Sequence, residues 1–72
     1  NGKFELTGDH NLSKTVISLM DATGKQINMK GVVSKYDEQQ SILVDLSSKP
    51  AGIYFLRLSN ENEEIIIDLP KY

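Results

Sequence analysis

The sequence predicts an all-β domain: a small immunoglobulin-like antiparallel β-sandwich of about seven short strands. Three observations point there. Apolar residues alternate with polar ones over short stretches, as in Gln40–Ser47 and Ile53–Ser59. Gly, Asp, Asn and Pro clusters punctuate those stretches at short intervals, most clearly at Asp21-Ala22-Thr23-Gly24-Lys25 and at Pro50-Ala51-Gly52. No segment carries a helical period of useful length; Ser34 to Gln40 has room for one helical turn and no more.

The elements read in order as follows. Lys3–Thr7 is a first strand with Phe4 and Leu6 inward, and Gly8-Asp9-His10-Asn11 is turn chemistry. Thr15–Met20 is the second strand. Its β-branched Thr15, Val16 and Ile17 favour extended backbone, with Ile17 and Leu19 in the core and Ser18 and Met20 on the other face. Asp21 starts a hairpin turn as a side-chain acceptor, and Gly24 supplies the positive φ that closes it. Lys25–Met29 is then the return strand, with Ile27 inward. Gly31 marks a bulge or bend, Val32–Ser34 resumes extended structure, and Tyr36–Gln39 is a loop.

In Gln40–Ser47 the inward face is Ile42, Val44 and Leu46, with Leu43 and Asp45 opposite. Pro50 suits the second position of a type I turn and Gly52 the fourth. Ile53–Ser59 puts Tyr54, Leu56 and Leu58 on one face and Ile53, Phe55 and Arg57 on the other. Asn60-Glu61-Asn62 is a polar connection whose Asn residues tolerate left-handed backbone. Glu64–Leu69 is the last strand, with Ile65, Ile67 and Leu69 inward, and Pro70 ends it.

Composition narrows the function. Residues 1–72 are expected to form one domain with a thin core. The formal net charge is −2 and the C-terminal part is acidic (Glu61, Glu63, Glu64, Asp68), which argues against nucleic acid and against an anionic membrane surface. The longest apolar runs, such as Ile65-Ile66-Ile67, are far short of the ~18 residues a spanning helix needs, so no transmembrane segment is predicted. With no cysteine, neither a disulfide nor a thiolate metal site is available.

No catalytic, metal-binding or cofactor-binding set is predicted. His10 reads as a solvated turn residue with no His or Cys partner. The serines lack a nucleophile-elbow context. Glu63 and Glu64 are adjacent on a strand, point to opposite faces, and read as an edge that discourages sheet-to-sheet pairing. Asp9, Asn11, Asp21 and Asp37 are hard oxygen donors in loops, but without EF-hand spacing they read as turn formers. Tyr54 reads as a core residue whose hydroxyl bonds backbone at a strand corner.

The order of the pieces is informative. An Asn-Gly-Lys-Phe opening precedes Asp21-Ala22-Thr23-Gly24-Lys25. Then come Ile42-Leu43-Val44-Asp45-Leu46-Ser47 and Pro50-Ala51-Gly52-Ile53-Tyr54-Phe55-Leu56-Arg57-Leu58, a short polar turn and a final strand. This succession resembles the C-terminal sorting domain of the type IX secretion (Por) system of Bacteroidetes, over nearly the whole chain. Lys49 stands where that family usually has Leu, and Asp68 and Pro70 depart from its basic, apolar tail.

The resemblance implies a non-catalytic sorting module, the C-terminal β-sandwich of a longer exported protein. That protein would cross the periplasm and reach the cell surface or the medium. The implied partners are the outer-membrane type IX machinery, a sortase-like peptidase and the parent's upstream domains. The motif and turn residues are then Asp21, Gly24, Lys25, Pro50, Gly52 and Tyr54. The expected recognition strand holds Glu64, Ile65, Ile67, Leu69 and Lys71.

Two other functions fit an acidic β-sandwich. One is an accessory module of a surface enzyme, gripping glycan through Phe55 or Tyr36. The other is a packing domain against a neighbour, using an apolar patch around Ile53, Phe55, Leu43 and Ile66.

Overall fold

The computed structural model describes residues 2–7, 14–36, 38 and 40–72. Six strands follow one another there: β1 (Lys3–Thr7), β2 (Val16–Asp21), β3 (Val33–Tyr36), β4 (Ser41–Asp45), β5 (Gly52–Ser59) and β6 (Glu64–Lys71). They form two antiparallel three-stranded sheets, β1-β4-β3 and β2-β5-β6. Among the described residues there is no α-helix, and six strands stand where about seven were expected. The turn at Gly8–Asn11 lies outside the described residues.

The chain switches sheet between β1 and β2, again between β2 and β3, and once more between β4 and β5. Only β3–β4 and β5–β6 are neighbours in both sequence and sheet. The two central strands, β4 and β5, are the two segments with the clearest alternation, because a central strand packs its whole inner face on the core. Ile42, Val44 and Leu46 from the first, with Tyr54, Leu56 and Leu58 from the second, join Leu19, Val32 and Leu69 in one buried cluster. Phe4, Leu6, Ile17, Ile27, Ile65 and Ile67 flank that cluster, which is the inward set the alternation predicts.

Five expectations need correction. The return strand Lys25–Met29 shrinks to one bridge, Met20 with Gln26, made by two bonds, from the Ile27 N–H to the Leu19 carbonyl (2.8 Å) and from the Asp21 N–H to the Lys25 carbonyl (3.0 Å). The reason is topological: the chain must leave the β2 sheet here to start β3 in the other one. Ile27 still packs on the core as it crosses. The chain then bends at Met29–Val32, where Gly31 lies, and extends into β3 through Tyr36, so Tyr36 is strand and not loop.

The turn between β4 and β5 is closed earlier than Pro50 suggests. The Lys49 N–H donates to the Leu46 carbonyl (2.9 Å), and the Ser47 N–H donates to Asp45 Oδ1 (3.0 Å). Asp45 leads into this turn as a side-chain acceptor, and the Leu46–Lys49 turn lies three residues ahead of the expected Lys49–Gly52 position.

At Asn60–Glu63 neither Asn has positive φ. Asn60 serves instead as an acceptor, its Oδ1 taking the N–H groups of Asn62 (2.8 Å) and Glu63 (3.0 Å).

Finally, Pro70 does not end β6, which runs to Lys71. The Asn60 N–H bonds the Glu63 carbonyl (3.0 Å) at the mouth of the hairpin. Paired residues in an antiparallel ladder alternate between bonded and non-bonded, so counting on from Asn60–Glu63 makes Ile53–Pro70 a non-bonded pair. The position without an N–H therefore faces away from β5, the place where an edge strand tolerates proline.

Candidate functional site

Of the residues singled out from sequence, the motif and turn residues, with Leu69 and Lys71, gather at one end of the β2-β5-β6 sheet. Asp21, Tyr54 and Leu69 lie in one row across its three strands. One step along β5, two residues toward its start, Gly52 pairs with Lys71. Gly24 and Lys25 sit in the turn that leaves this row, and Pro50 in the connection that enters it. Glu64 and Ile65 lie at the far end of the same sheet, beside Ser59 and Leu58, and Ile67 lies between.

Each turn at this end is closed by a side chain. Asp21 Oδ1 accepts from the Thr23 N–H (2.9 Å), the Thr23 hydroxyl (2.6 Å) and the Lys25 N–H (3.1 Å). Gly24, at φ 86°, closes the turn by donating its N–H to the Asp21 carbonyl (3.0 Å). These bonds, led by the one from the Thr23 hydroxyl, hold the Asp21 carboxyl below the ordinary carboxylate value. Asp45 is lowered as well, first by the bonds from Ser47 and then by the positive charges of Lys3 and Lys71.

The Tyr54 side chain is buried in the core, and its hydroxyl donates to the Pro50 carbonyl at 2.6 Å. This is the corner bond the sequence suggested. It pins the approach to β5 onto the second row of the strand.

Lys71 reaches the same connection from the end of β6. Its ammonium donates to the Ser47 carbonyl at 3.2 Å and to the Lys49 carbonyl. The start of the chain joins them: the Gly2 carbonyl accepts from the Leu46 N–H at 2.6 Å. Gly2 is buried, and a Cβ there would lie 3.3 Å from the Ser47 nitrogen and 3.4 Å from Lys71 Cε.

Sequence reasoning named Lys71 but missed Gly2 and Ser47 as its surroundings. The Asn-Gly opening and the Asp45-x-Ser47 spacing were visible, but only the fold brings residues 2, 47 and 71 together.

Of the expected recognition strand, Ile65 and Ile67 are half-buried against the core and Leu69 is 2% exposed. The side chains that β6 turns outward are Glu64, Ile66, Asp68 and Pro70. Ile66, 55% exposed, is the largest apolar group it shows.

Tyr36 and Phe55 belong to different sheets, so they build no shared stacking face. The apolar patch is likewise divided: Ile53, Phe55 and Ile66 share one outer face, while Leu43 belongs to the other sheet. Asp9, His10, Asn11 and Asp37 lie outside the described residues. Asp21, the remaining oxygen donor of that group, is engaged in closing its own turn. Among the described residues no helix is long and apolar enough to cross a membrane.

The family model for secretion system C-terminal sorting domains matches residues 1–69, which takes in every strand through Leu69 of β6. The chain therefore belongs to the C-terminal sorting domains of type IX secretion, a family of non-enzymatic signals. Membership means export through that system to the cell surface or the extracellular space. The chain matches no curated protein and no solved structure.

Proposed function

We propose that residues 1–72 act as a non-catalytic sorting module, folded as an immunoglobulin-like sandwich and read in that form by the outer-membrane type IX machinery. In this reading the module is the C-terminal domain of a longer exported protein, and a sortase-like peptidase acts on it after transport. The observation that carries the proposal is the convergence of Asp21, Gly24, Lys25, Pro50, Gly52, Tyr54 and Lys71 on one end of the β2-β5-β6 sheet, within a chain the sorting-domain model matches from residue 1 to 69.

The proposed contact has two parts. The turns at this end, closed by side chains, offer a rigid and mostly exposed surface around Gly24, Lys25, Pro50 and Gly52. The open edge of β6 adds backbone donors and acceptors of the kind that strand-addition partners use. Glu64 and Asp68 on that edge discourage pairing between identical copies.

The test is export. Residues 1–72 are fused to the C-terminus of a periplasmic fluorescent protein and expressed in a Bacteroidetes host with and without a working translocon. Surface or extracellular fluorescence that requires the translocon, and is lost on deleting Glu64 to Tyr72, supports the module. A folded reporter retained in the periplasm rejects it. Retention would favour the second reading, a domain packed on a neighbour in the parent protein, for which the exposed Ile53 and Ile66 on one outer face are the supporting observation.

A further inference from the structure

The end of β6 is held by something other than its own ladder. β6 is an edge strand, with β5 on one side and, among the described residues, no strand on the other. Leu69 is its last fully buried side chain. Beyond it, Pro70 adds no backbone bond to β5, and only the Lys71–Gly52 rung remains. An edge-strand end of this kind opens locally without global unfolding, because little buried area is lost when it lifts.

The Lys71 side chain closes that gap. It folds back from the strand end, and its ammonium takes two carbonyls, Ser47 and Lys49, of the connection that carries the chain from one sheet to the other. Both acceptors lie more than twenty residues upstream of Lys71. The stem of the side chain passes Gly2, where the absence of a Cβ leaves it room. Asp45, at the start of the same turn, adds negative charge nearby. One side chain thus ties the last strand to the β4–β5 connection, its stem passing beside the start of the chain.

We propose that Lys71 is a latch: its ammonium holds the end of β6 against the β4–β5 connection, and without it the last three residues open while the core stays folded. Its consequence for export rests on the sorting reading above. There Lys71 is a positioning residue, keeping the tail and the Pro50 connection together as one surface instead of contacting the machinery itself.

Native-state hydrogen exchange on the 72-residue chain tests the latch directly. Lys71→Met keeps the stem and loses the donors; Lys71→Arg keeps donors and charge. Loss of bonds from a charged donor should speed exchange of the Lys71 amide by roughly 10-fold or more, with the Leu19 and Leu56 amides unchanged beyond any shift in global stability. Lys71→Arg should stay slow. Gly2→Ala strains a backbone held at φ 94° and crowds the Ser47 nitrogen and the Lys71 stem without touching the ammonium, and should also speed the Lys71 amide. If Lys71→Met leaves that amide as slow as in the parent chain, or speeds every amide equally, the latch is wrong.

Export of the fluorescent fusion tests the consequence. Lys71→Met and Gly2→Ala should both lower it, and Lys71→Arg should restore it. Normal export of Gly2→Ala, together with failure of Lys71→Arg, would mean that the ammonium is read directly, which overturns the positioning role. If the unmodified fusion is not exported at all, the sorting reading fails while the exchange experiment still decides the latch.

Discussion

The two ends of the β2-β5-β6 sheet are closed in different ways. At the Asn60 end the hairpin itself is closed by local bonds. Asn60 Oδ1 accepts from residues two and three positions on, and Arg57 Nε meets Glu64 Oε1 at 2.6 Å across a hairpin, with both side chains nearly half exposed. At the Tyr54 end, beside the local bonds of Asp21 and Tyr54, others join distant parts of the chain: Gly2 to Leu46, and Lys71 to Ser47 and Lys49. Local closure forms as soon as the hairpin does. Closure between distant segments costs loop entropy, and the Lys71 bonds exist only once β6 and the β4–β5 connection have come together. The Lys71 contacts at the Tyr54 end therefore report that the last strand and the β4–β5 connection have come together, whereas the bonds of Asn60 report only that a hairpin has formed.

The largest way to break the comparison is to remove what both ends stand on. Leu56 is fully buried at the centre of β5, in a row with Leu19 and Ile67. Leu56→Ala should cost about 2–5 kcal/mol, a large share of what a small domain has. Urea unfolding should then show both ends lost in a single transition. Separate transitions would mean that the core does not couple them.

Next in size is Tyr54→Phe, which keeps the buried ring and removes the bond to the Pro50 carbonyl. A loss of about 0.5–1.5 kcal/mol in urea unfolding is expected. Faster amide exchange at Gly52, with no change at Glu63, would place that loss at the Tyr54 end. Equal changes at both amides would deny the corner bond its local role.

The same contrast explains what was legible in the sequence. Tyr54, Leu56 and Leu58, and likewise Ile42, Val44 and Leu46, declare their inward face by alternation alone, because a central strand is selected for one buried face. The Asp21–Gly24 turn was legible for the same local reason, as an acceptor followed by a glycine. Lys25–Met29 looked like a strand because nothing in its composition states that the chain must change sheets there. Pro70 looked like a stop because its permission to stay depends on the bonding phase of a partner strand. Lys71 was visible as part of the final strand, but its acceptors are backbone carbonyls, which carry no sequence signature. Gly2 was invisible as a packing position for the same reason: its neighbours come from residues 46, 47 and 71.

The Asn60 end offers a smaller test. Arg57→Gln removes the ion pair with Glu64, and an exposed pair of this kind is worth about 0.2–1 kcal/mol. The loss should shrink further in high salt, since the charges are screened. Lys71→Met should keep its effect on the tail in the same salt, because its acceptors are carbonyls held at bonding distance. If salt erases both effects equally, the two ends do not differ in the way the bonding pattern implies.

The smallest expected effect is in acid, and it belongs to the Tyr54 end. Asp21 and Asp45 both titrate below the ordinary 3.8 because Thr23 and Ser47, respectively, donate hydrogen bonds to their carboxylates. The folded chain therefore takes up these protons less readily than the unfolded chain does. The stability they contribute is complete above the unfolded value and is lost as the pH falls through the lower folded values. Both carboxylates stand at the surface, so the change should be small. Asn at each position keeps an Oδ1 acceptor for the turn but has no charge to lose. The double variant Asp21→Asn, Asp45→Asn should show a flatter fall in unfolding midpoint below pH 3.8 than the parent chain. Equal acid sensitivity in the two chains would mean that carboxylates elsewhere set the acid limit, and that the turns at the Tyr54 end owe their closure to geometry and not to charge.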